Sequence, residues 1–476
     1  MPLIIPSNSQ SATGYTIDQS IRFNDNDSAF MKKDYSGDGS QTTFTLSGWF
    51  KLGILTGSAH SLFATGYLNG SVADFSLYFS GDQLYLYAGY NGGSPANKLE
   101  TTQLFRDHSA WYHIVFVADT TNAVSEERLR LYVNGSRVTA FDTETYPSQN
   151  NTLVWGDATY SHAIGASGDD TTSLNSQTPR FHYDGYMAEI HYLDGLAYDP
   201  SFFGEFNDSG IWIPKEYTGS YGTNGFKIDG RDASDLGDDE SGNGNDFTTS
   251  GLAAHDQMLD SPTNNFCVMN AIENVPCNFS EGNLTLDSTA NFSGNAIRGT
   301  VHIKGGSTGK WYYEVVGSLT GDYWGTGWML SSIINPSGTV IGQESGSVGF
   351  YNTGSYQNTS NVQGAITKPA AGDVIGVGLD ASTGQVFLRD DTGYFVGTLS
   401  SNVLSSGVVI TGFDGEDLVM ASRNSSSGTC TYNFGQDGTF AGAKTAQGNT
   451  DANGIGNFFY TVPDGFLAIC TKNLGS

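Results

Sequence analysis

Basic residues are scarce: 21 Lys and Arg stand against 49 Asp and Glu, a formal net charge of −28 at pH 7. Binding to phosphate backbones needs clustered Lys and Arg, so nucleic acid is not an expected partner. Charge of either sign is thin, at 15% of 476 residues, where an average soluble chain has about 25%. No run approaches the roughly 18 apolar residues of a membrane-spanning helix, and membrane insertion is not expected. The opening Met1-Pro2-Leu3-Ile4-Ile5-Pro6 lacks the basic stretch and apolar length of a secretory signal, so export by that route is not expected. Cysteine is limited to Cys267, Cys277, Cys430 and Cys470. With no CxxC pair and no His at zinc spacing, they read as buried free thiols. What is abundant is glycine, at 62 residues, together with 25 Tyr, 28 Phe and 7 Trp. Glycine at that level opposes long helices and the aromatics oppose disorder, which leaves a folded, turn-rich β protein of two large domains or three smaller ones.

The alternation of side chains supports this. Phe75, Leu77 and Phe79 share one face, Gly81-Asp82 turns the chain, and Leu84, Leu86 and Ala88 return on that face. Leu129, Leu131 and Val133 alternate with Arg130 and Tyr132 ahead of Asn134-Gly135, a pair suited to the positive φ angles of a tight hairpin. Trp111 to Val117 is apolar on both faces, as in a central strand. Phe181 to Leu193 predicts a strand with Tyr186, Ala188, Ile190 and Tyr192 on one face and Glu189 and His191 on the other. After Trp212-Ile213-Pro214 the pattern fades into Gly, Asp and Asn, which predicts a boundary near 215 and a connector over 216–265. Alternation resumes at Trp311-Tyr312-Tyr313-Glu314-Val315 and at Val374 to Leu379, and Phe387 to Leu399 predicts a hairpin around Asp390-Asp391-Thr392-Gly393. The expected fold class is all-β: two antiparallel β-sandwiches, 21–215 and 266–476, preceded by a docking segment at 1–20.

Four segments, Phe44-Thr45-Leu46-Ser47-Gly48-Trp49-Phe50, Trp111-Tyr112-His113-Ile114-Val115, Leu131-Tyr132-Val133-Asn134-Gly135 and Asp184-Gly185-Tyr186-Met187-Ala188-Glu189-Ile190, resemble in order and spacing the core strands of laminin G-like, concanavalin A-like jelly rolls. Lys310-Trp311-Tyr312-Tyr313-Glu314-Val315, Gly372-Asp373-Val374-Ile375-Gly376-Val377-Gly378-Leu379-Asp380 and Asn433-Phe434-Gly435-Gln436 resemble a SPRY-type sandwich. This combination, with Ser241-Gly242-Asn243-Gly244-Asn245 and the ending Pro463-Asp464-Gly465-Phe466-Leu467-Ala468-Ile469-Cys470-Thr471, resembles tail-fibre-like virion proteins of tailed bacteriophages, marine ones especially. The resemblance implies a structural appendage protein of the virion, assembled in a host cytoplasm, with other virion proteins and host-surface carbohydrate as partners. It also implies a homo-oligomer, with a trimer as the first expectation. A capsid decoration or head fibre is the alternative, and a polysaccharide-degrading enzyme a more distant one.

Glucan-cutting enzymes on such a scaffold carry Glu-x-Asp-x-x-Glu on one strand, because one carboxylate attacks while the other protonates the leaving oxygen. The nearest approach is Glu189-Ile190-His191-Tyr192-Leu193-Asp194, in which His191 replaces the central acid, so no enzyme is expected. Gly305-Gly306-Ser307-Thr308-Gly309 has the letters of a nucleophile elbow, but a strand follows it where that motif needs a helix. Asp34-x-Ser36-x-Asp38-Gly39 opens like a calcium loop, yet Thr45 stands where the bidentate Glu belongs. Asp235, Asp238, Asp239 and Asn243 offer hard oxygen ligands, and Ca2+ is the one cofactor they suggest. Sugar sites combine exposed aromatics with polar groups in rim loops. Tyr90 with Asn91, Trp155 with Asp157, and Tyr323 with Trp324 are the expected glycan contacts.

Overall fold

The hairpin around Asn134-Gly135 shows how the sequence builds the first domain. Leu129, Leu131 and Val133 enter the core, and φ is +47° at Asn134 and +76° at Gly135. The computed structural model describes residues 14–475 except 54–58, 67–73, 90–96, 168–178, 273–276, 288–295, 318–323, 334–340, 343, 352–354, 359–360, 366–371 and 425–427. The chain divides into two units, Gln10–Thr263 and Asn264–Ser476, each an antiparallel β-sandwich as expected.

The strands of the first domain are β1 (Ser20–Phe23), β2 (Phe30–Lys33), β3 (Thr43–Leu52), β4 (His60–Gly66), β5 (Asp74–Ser80), β6 (Gln83–Ala88), β7 (Lys98–Leu104), β8 (Trp111–Asp119), β9 (Leu129–Val133), β10 (Ser136–Arg137), β11 (Phe141–Thr145), β12 (His162–Ile164) and β13 (Gly185–Asp194). They are followed by β14 (Gly204–Phe206), β15 (Trp212–Pro214), β16 (Phe226–Ile228), β17 (Thr248–Ser250) and β18 (Gln257–Met258). One sheet runs β10-β9-β8-β3-β13-β1-β18, with β16 also on β13, and the other runs β11-β7-β6-β5-β4-β12-β2-β17. Phe44, Leu46 and Phe50 of β3 and Ile114 and Phe116 of β8 belong to the same buried cluster as Phe75, Leu77, Leu84 and Leu86 of the other sheet.

The boundary expected near 215 moves to Thr263. The segment expected to be a connector completes the first sandwich: β16 pairs with β13, β17 with β2 and β18 with β1. Phe226, Ile228, Leu236 and Phe247 lie in the core. Two buried ion pairs tie the end of this segment back to early strands, Arg22 to Asp256 at 3.0 Å and Lys51 to Asp260 at 2.6 Å. Of the expected docking segment, 1–13 lie outside the described residues, whereas Ile17 is buried and Ser20 begins β1.

Strand β13 departs from simple alternation. Glu189 has φ of +47°, and the pairing with β3 shifts between Ala188 and His191, so Glu189 and Ile190 together oppose Gly48. This β-bulge switches faces: Tyr186 and Ala188 pack on the outer side of the sheet, while Ile190 and Tyr192 enter the core.

In the second domain one sheet is built on Lys310–Gly317 and Val374–Asp380, paired over seven residues. Gln385–Asp390, Gly393–Val396 and Thr429–Asn433 extend it, and Phe466–Ala468 joins it in parallel. The other sheet contains Ile297–Lys304, Asp417–Asn424, Trp324–Leu330 and Ser347–Tyr351. Tyr313 crosses between the sheets, its hydroxyl 2.7 Å from Thr326 Oγ1 and its ring against Trp328. Gly376 is required because a Cβ there would lie 2.2 Å from the Tyr312 hydroxyl. Glu314, fully buried, receives backbone N–H bonds of 2.8 Å from Tyr460 at Oε1 and from Phe459 at Oε2. Tyr312 donates to Oε1 at 3.1 Å and Asn433 to Oε2 at 3.4 Å.

Candidate functional site

Two of the expected glycan contacts are buried. Trp155 is 0% exposed, its ring edge-on to His162 at 4.8 Å and packed against Phe75 at 5.3 Å and Tyr192 at 5.6 Å. Trp324 is 2% exposed and packs edge-on to Phe350 at 6.0 Å. Neither ring offers a face to a sugar, because an indole gains more from core burial than a loop tip can provide. Asp157 is half-buried and caps its own turn by accepting from the Thr159 N–H at 2.8 Å. Tyr90, Asn91 and Tyr323 lie outside the described residues.

The acidic segment suggested for calcium is committed to its own loop. Asp239 accepts four hydrogen bonds, from the N–H groups of Lys227, Ser241 and Asn245 and from the Ser241 hydroxyl, at 2.8–2.9 Å. Asn243 turns its amide donors to the carbonyls of Gly222 and Gly225, and Asp235 accepts from the Gly237 N–H. The Asp238 carboxyl is pushed up by desolvation and by the charges of Asp246, Asp235, Asp232 and Asp239. Among the described residues no three Asp, Glu, His or Cys side chains converge as metal ligands, and Asp239 and Asn243 direct their hydrogen bonds to their own loop. In the other loop, Asp34 accepts from the Ser161 hydroxyl and Asp38 from the Ala158 N–H.

The two acids of β13 have separate sets of partners. The bulge buries Glu189, whose Oε1 meets the Tyr15 hydroxyl at 2.6 Å and Lys227 Nζ at 3.2 Å, and whose Oε2 meets His191 Nε2 at 3.1 Å. Burial pushes this carboxyl up, but His191, Lys227 and Tyr15 outweigh it and hold it down at about 2. Asp194 accepts from the backbone N–H groups of Ser40 at 2.6 Å and Asn224 at 3.0 Å. The cleft of about 130 Å3 beside Glu189 brings four carboxylates, Asp18, Glu189, Glu216 and Asp229, against two cations, Lys227 and Arg231. Lys227 lies 3.2 Å from both Glu189 and Asp229, and Arg231 lies 2.6 Å from Asp229.

A larger groove lies where the β9–β10 turn meets the β14–β15 hairpin. It encloses about 470 Å3 and is lined by Tyr132, Gly135, Asp199, Pro200, Ser201, Gly204, Glu205, Phe206, Trp212 and Lys215. Phe206 is 56% exposed and sits edge-on to Trp212 at 4.9 Å. Trp212 is fixed from several sides. A Cβ on Gly135 would lie 2.3 Å from its ring and one on Gly204 2.5 Å away, so both positions admit the indole only as glycine. Its Nε1–H donates to His113 Nδ1 at 3.0 Å, which places the His113 proton on Nε2, 2.9 Å from Ser47 Oγ. Burial, helped by the nearby His191, holds His113 down at about 3 and therefore neutral. Trp49, His113 and Trp212 form a stack with centroid spacings of 4.7 and 5.9 Å. The sequence gives one hint of this groove, the apolar Trp212-Ile213-Pro214 at the edge of the fading pattern. Phe206 carries no alternation around it, since its strand is three residues long.

Compared with known families, residues 23–176 match the concanavalin A-like lectin/glucanases superfamily model, and residues 310–413 match the SPRY domain model. No curated protein matches the chain. Among solved structures the chain is similar to the PSpry domain of TRIM65, at 12% identity and a TM-score of 0.27, over 35% of this chain and 88% of that one. It is also similar to the native heptameric SAP-like pentraxin of Limulus polyphemus, at 16% identity and a TM-score of 0.27, over 38% of this chain and 78% of that one. A third similarity is to stonustoxin, at 16% identity and a TM-score of 0.27, over 56% of this chain and 35% of that one. The chain thus carries a laminin G-like, concanavalin A-like domain followed by a SPRY domain.

Proposed function

We propose that this chain is a non-enzymatic structural protein of a tailed-phage virion, a tail fibre or similar appendage, whose first domain holds host-surface carbohydrate in the groove between Tyr132, Phe206 and Trp212. The observation that carries the binding role is the groove itself: about 470 Å3, within the roughly 300–1,000 Å3 of small-ligand sites. Its aromatic surface is bordered by carboxylates, an ammonium and hydroxyls, the mixture that the apolar faces and polar edges of a pyranose require. The closed hydrogen bonding of Glu189 and Asp194 supports binding without cleavage. The virion role is supported by the resemblance of the paired domains and of the C-terminal ending to fibre proteins. Assembly as a homo-oligomer, a trimer first, would present several grooves together and raise avidity for a repeating surface glycan.

A glycan array probed with the wild-type chain and with Phe206→Ala tests the reading. Phe206 is largely exposed, so the variant is expected to fold and to lose the array signal. A signal that survives the substitution, or no signal from either protein, refutes the groove as a carbohydrate site.

A further inference from the structure

Two carboxylates, Asp199 and Glu205, border the groove against a single cation, Lys215. All three residues are exposed. The cation is already engaged, since Lys215 Nζ donates to the Ser201 carbonyl at 3.1 Å. One oxygen of Asp199 accepts from the N–H and the hydroxyl of Ser201. The rings of Phe206 and Trp212 line the same groove. An ammonium group is attracted both by carboxylates and by aromatic faces, and a groove lined by both kinds of group offers it both attractions. An acidic ligand meets repulsion from the same carboxylates and from the −28 charge of the chain. Resting on the carbohydrate reading, we propose that the groove selects an amine-bearing saccharide: a short chain of hexosamine units with free amino groups, preferred over its N-acetylated and its uronic acid counterparts.

Calorimetric titration of the full chain at low salt and mildly acidic pH tests this with four probes: a glucosamine oligomer, the N-acetylglucosamine oligomer of equal length, a galacturonate oligomer and choline. The glucosamine oligomer is expected to bind most tightly and to lose its advantage as salt is added, because exposed charges are screened. Glu205→Gln is expected to weaken that oligomer by about two- to fivefold and to leave the N-acetylated one unchanged, the range exposed ion pairs support. Asp199→Asn, which keeps an oxygen to accept from Ser201, is expected to act alike. Equal or tighter binding of the N-acetylated or uronic oligomer, removed by Phe206→Ala, overturns the amine preference and leaves the carbohydrate reading intact. Binding of choline as tightly as the oligomer overturns the saccharide as occupant. Failure of every saccharide to bind overturns both readings.

Discussion

Replacing Glu314 with Gln probes how the second domain holds its Phe459–Tyr460 segment. The carboxylate accepts the Tyr460 and Phe459 N–H groups, one at each oxygen. Glutamine keeps the volume but turns an NH2 group toward one of those donors, leaving a buried N–H unmatched at a cost of about 1–3 kcal/mol. The wild-type group has its own cost. Burial pushes its carboxyl from the ordinary 4.5 up to about 7, against the pull of the Phe459 and Tyr460 N–H groups, the Tyr312 hydroxyl and Arg389. A carboxyl whose folded value exceeds its unfolded value binds more protons in the folded state. The stability it contributes is therefore full below pH 4.5 and is lost as pH rises through 7. Integrated over this interval, the loss reaches about 3 kcal/mol. Thermal unfolding of the full chain and of Glu314→Gln, followed by calorimetry between pH 4.5 and 8, should give two results: a second-domain transition that falls with pH in the wild type and stays level in the variant, and curves that approach one another near pH 8. A wild-type transition that does not fall, or a fall of equal size in the variant, would refute the reasoning.

Glu189 should behave in the opposite sense. Its carboxyl is held below the unfolded value, so the stability it contributes is present above pH 4.5 and lost as pH drops toward 2, by up to about 3 kcal/mol. Glu189→Gln should flatten the acid limb of first-domain unfolding followed by tryptophan fluorescence, and an unchanged acid limb would count against the ion-pair account. Trp155→Ala should lower first-domain stability by about 3–5 kcal/mol in urea melts through loss of a central ring, and a shift below about 1 kcal/mol would contradict its placement in the core.

Alternation carried far where one face of a strand meets a core and the other meets solvent. The β5–β6 hairpin, β8, and β9 with its Asn134-Gly135 turn were legible for that reason, as was Val374–Asp380 with its glycines opposite Tyr312 and Phe466. The reading failed at β13, because a bulge leaves no mark in the order of apolar residues when both faces are covered. It also failed over 216–263, where the strands are two or three residues long. The intervening turns there are held by Asp and Asn side chains bonded to nearby backbone, a pattern whose composition matches that of a linker. Trp155 and Trp324 sit in Gly- and Asp-rich surroundings that suggest loop tips, although packing draws both indoles inward. The groove has no signature of its own in the sequence, because its walls come from the end of β9 with its turn, the turn at 199–201 and the short strands β14 and β15, which only the tertiary fold assembles.

The salt links from Arg22 to Asp256 and from Lys51 to Asp260 join residues more than 200 positions apart. During synthesis, each early cation waits on the ribosome for a counter-charge made over two hundred residues later. Leaving one ion of such a pair unmatched in a protein interior costs about 3–5 kcal/mol, so the first sandwich gains its full stability only once the chain has emerged past Asp260. Closure of so long a loop is slow. Until that point the early strands await the segment that completes both sheets, a stage at which unpaired edges are open to other chains.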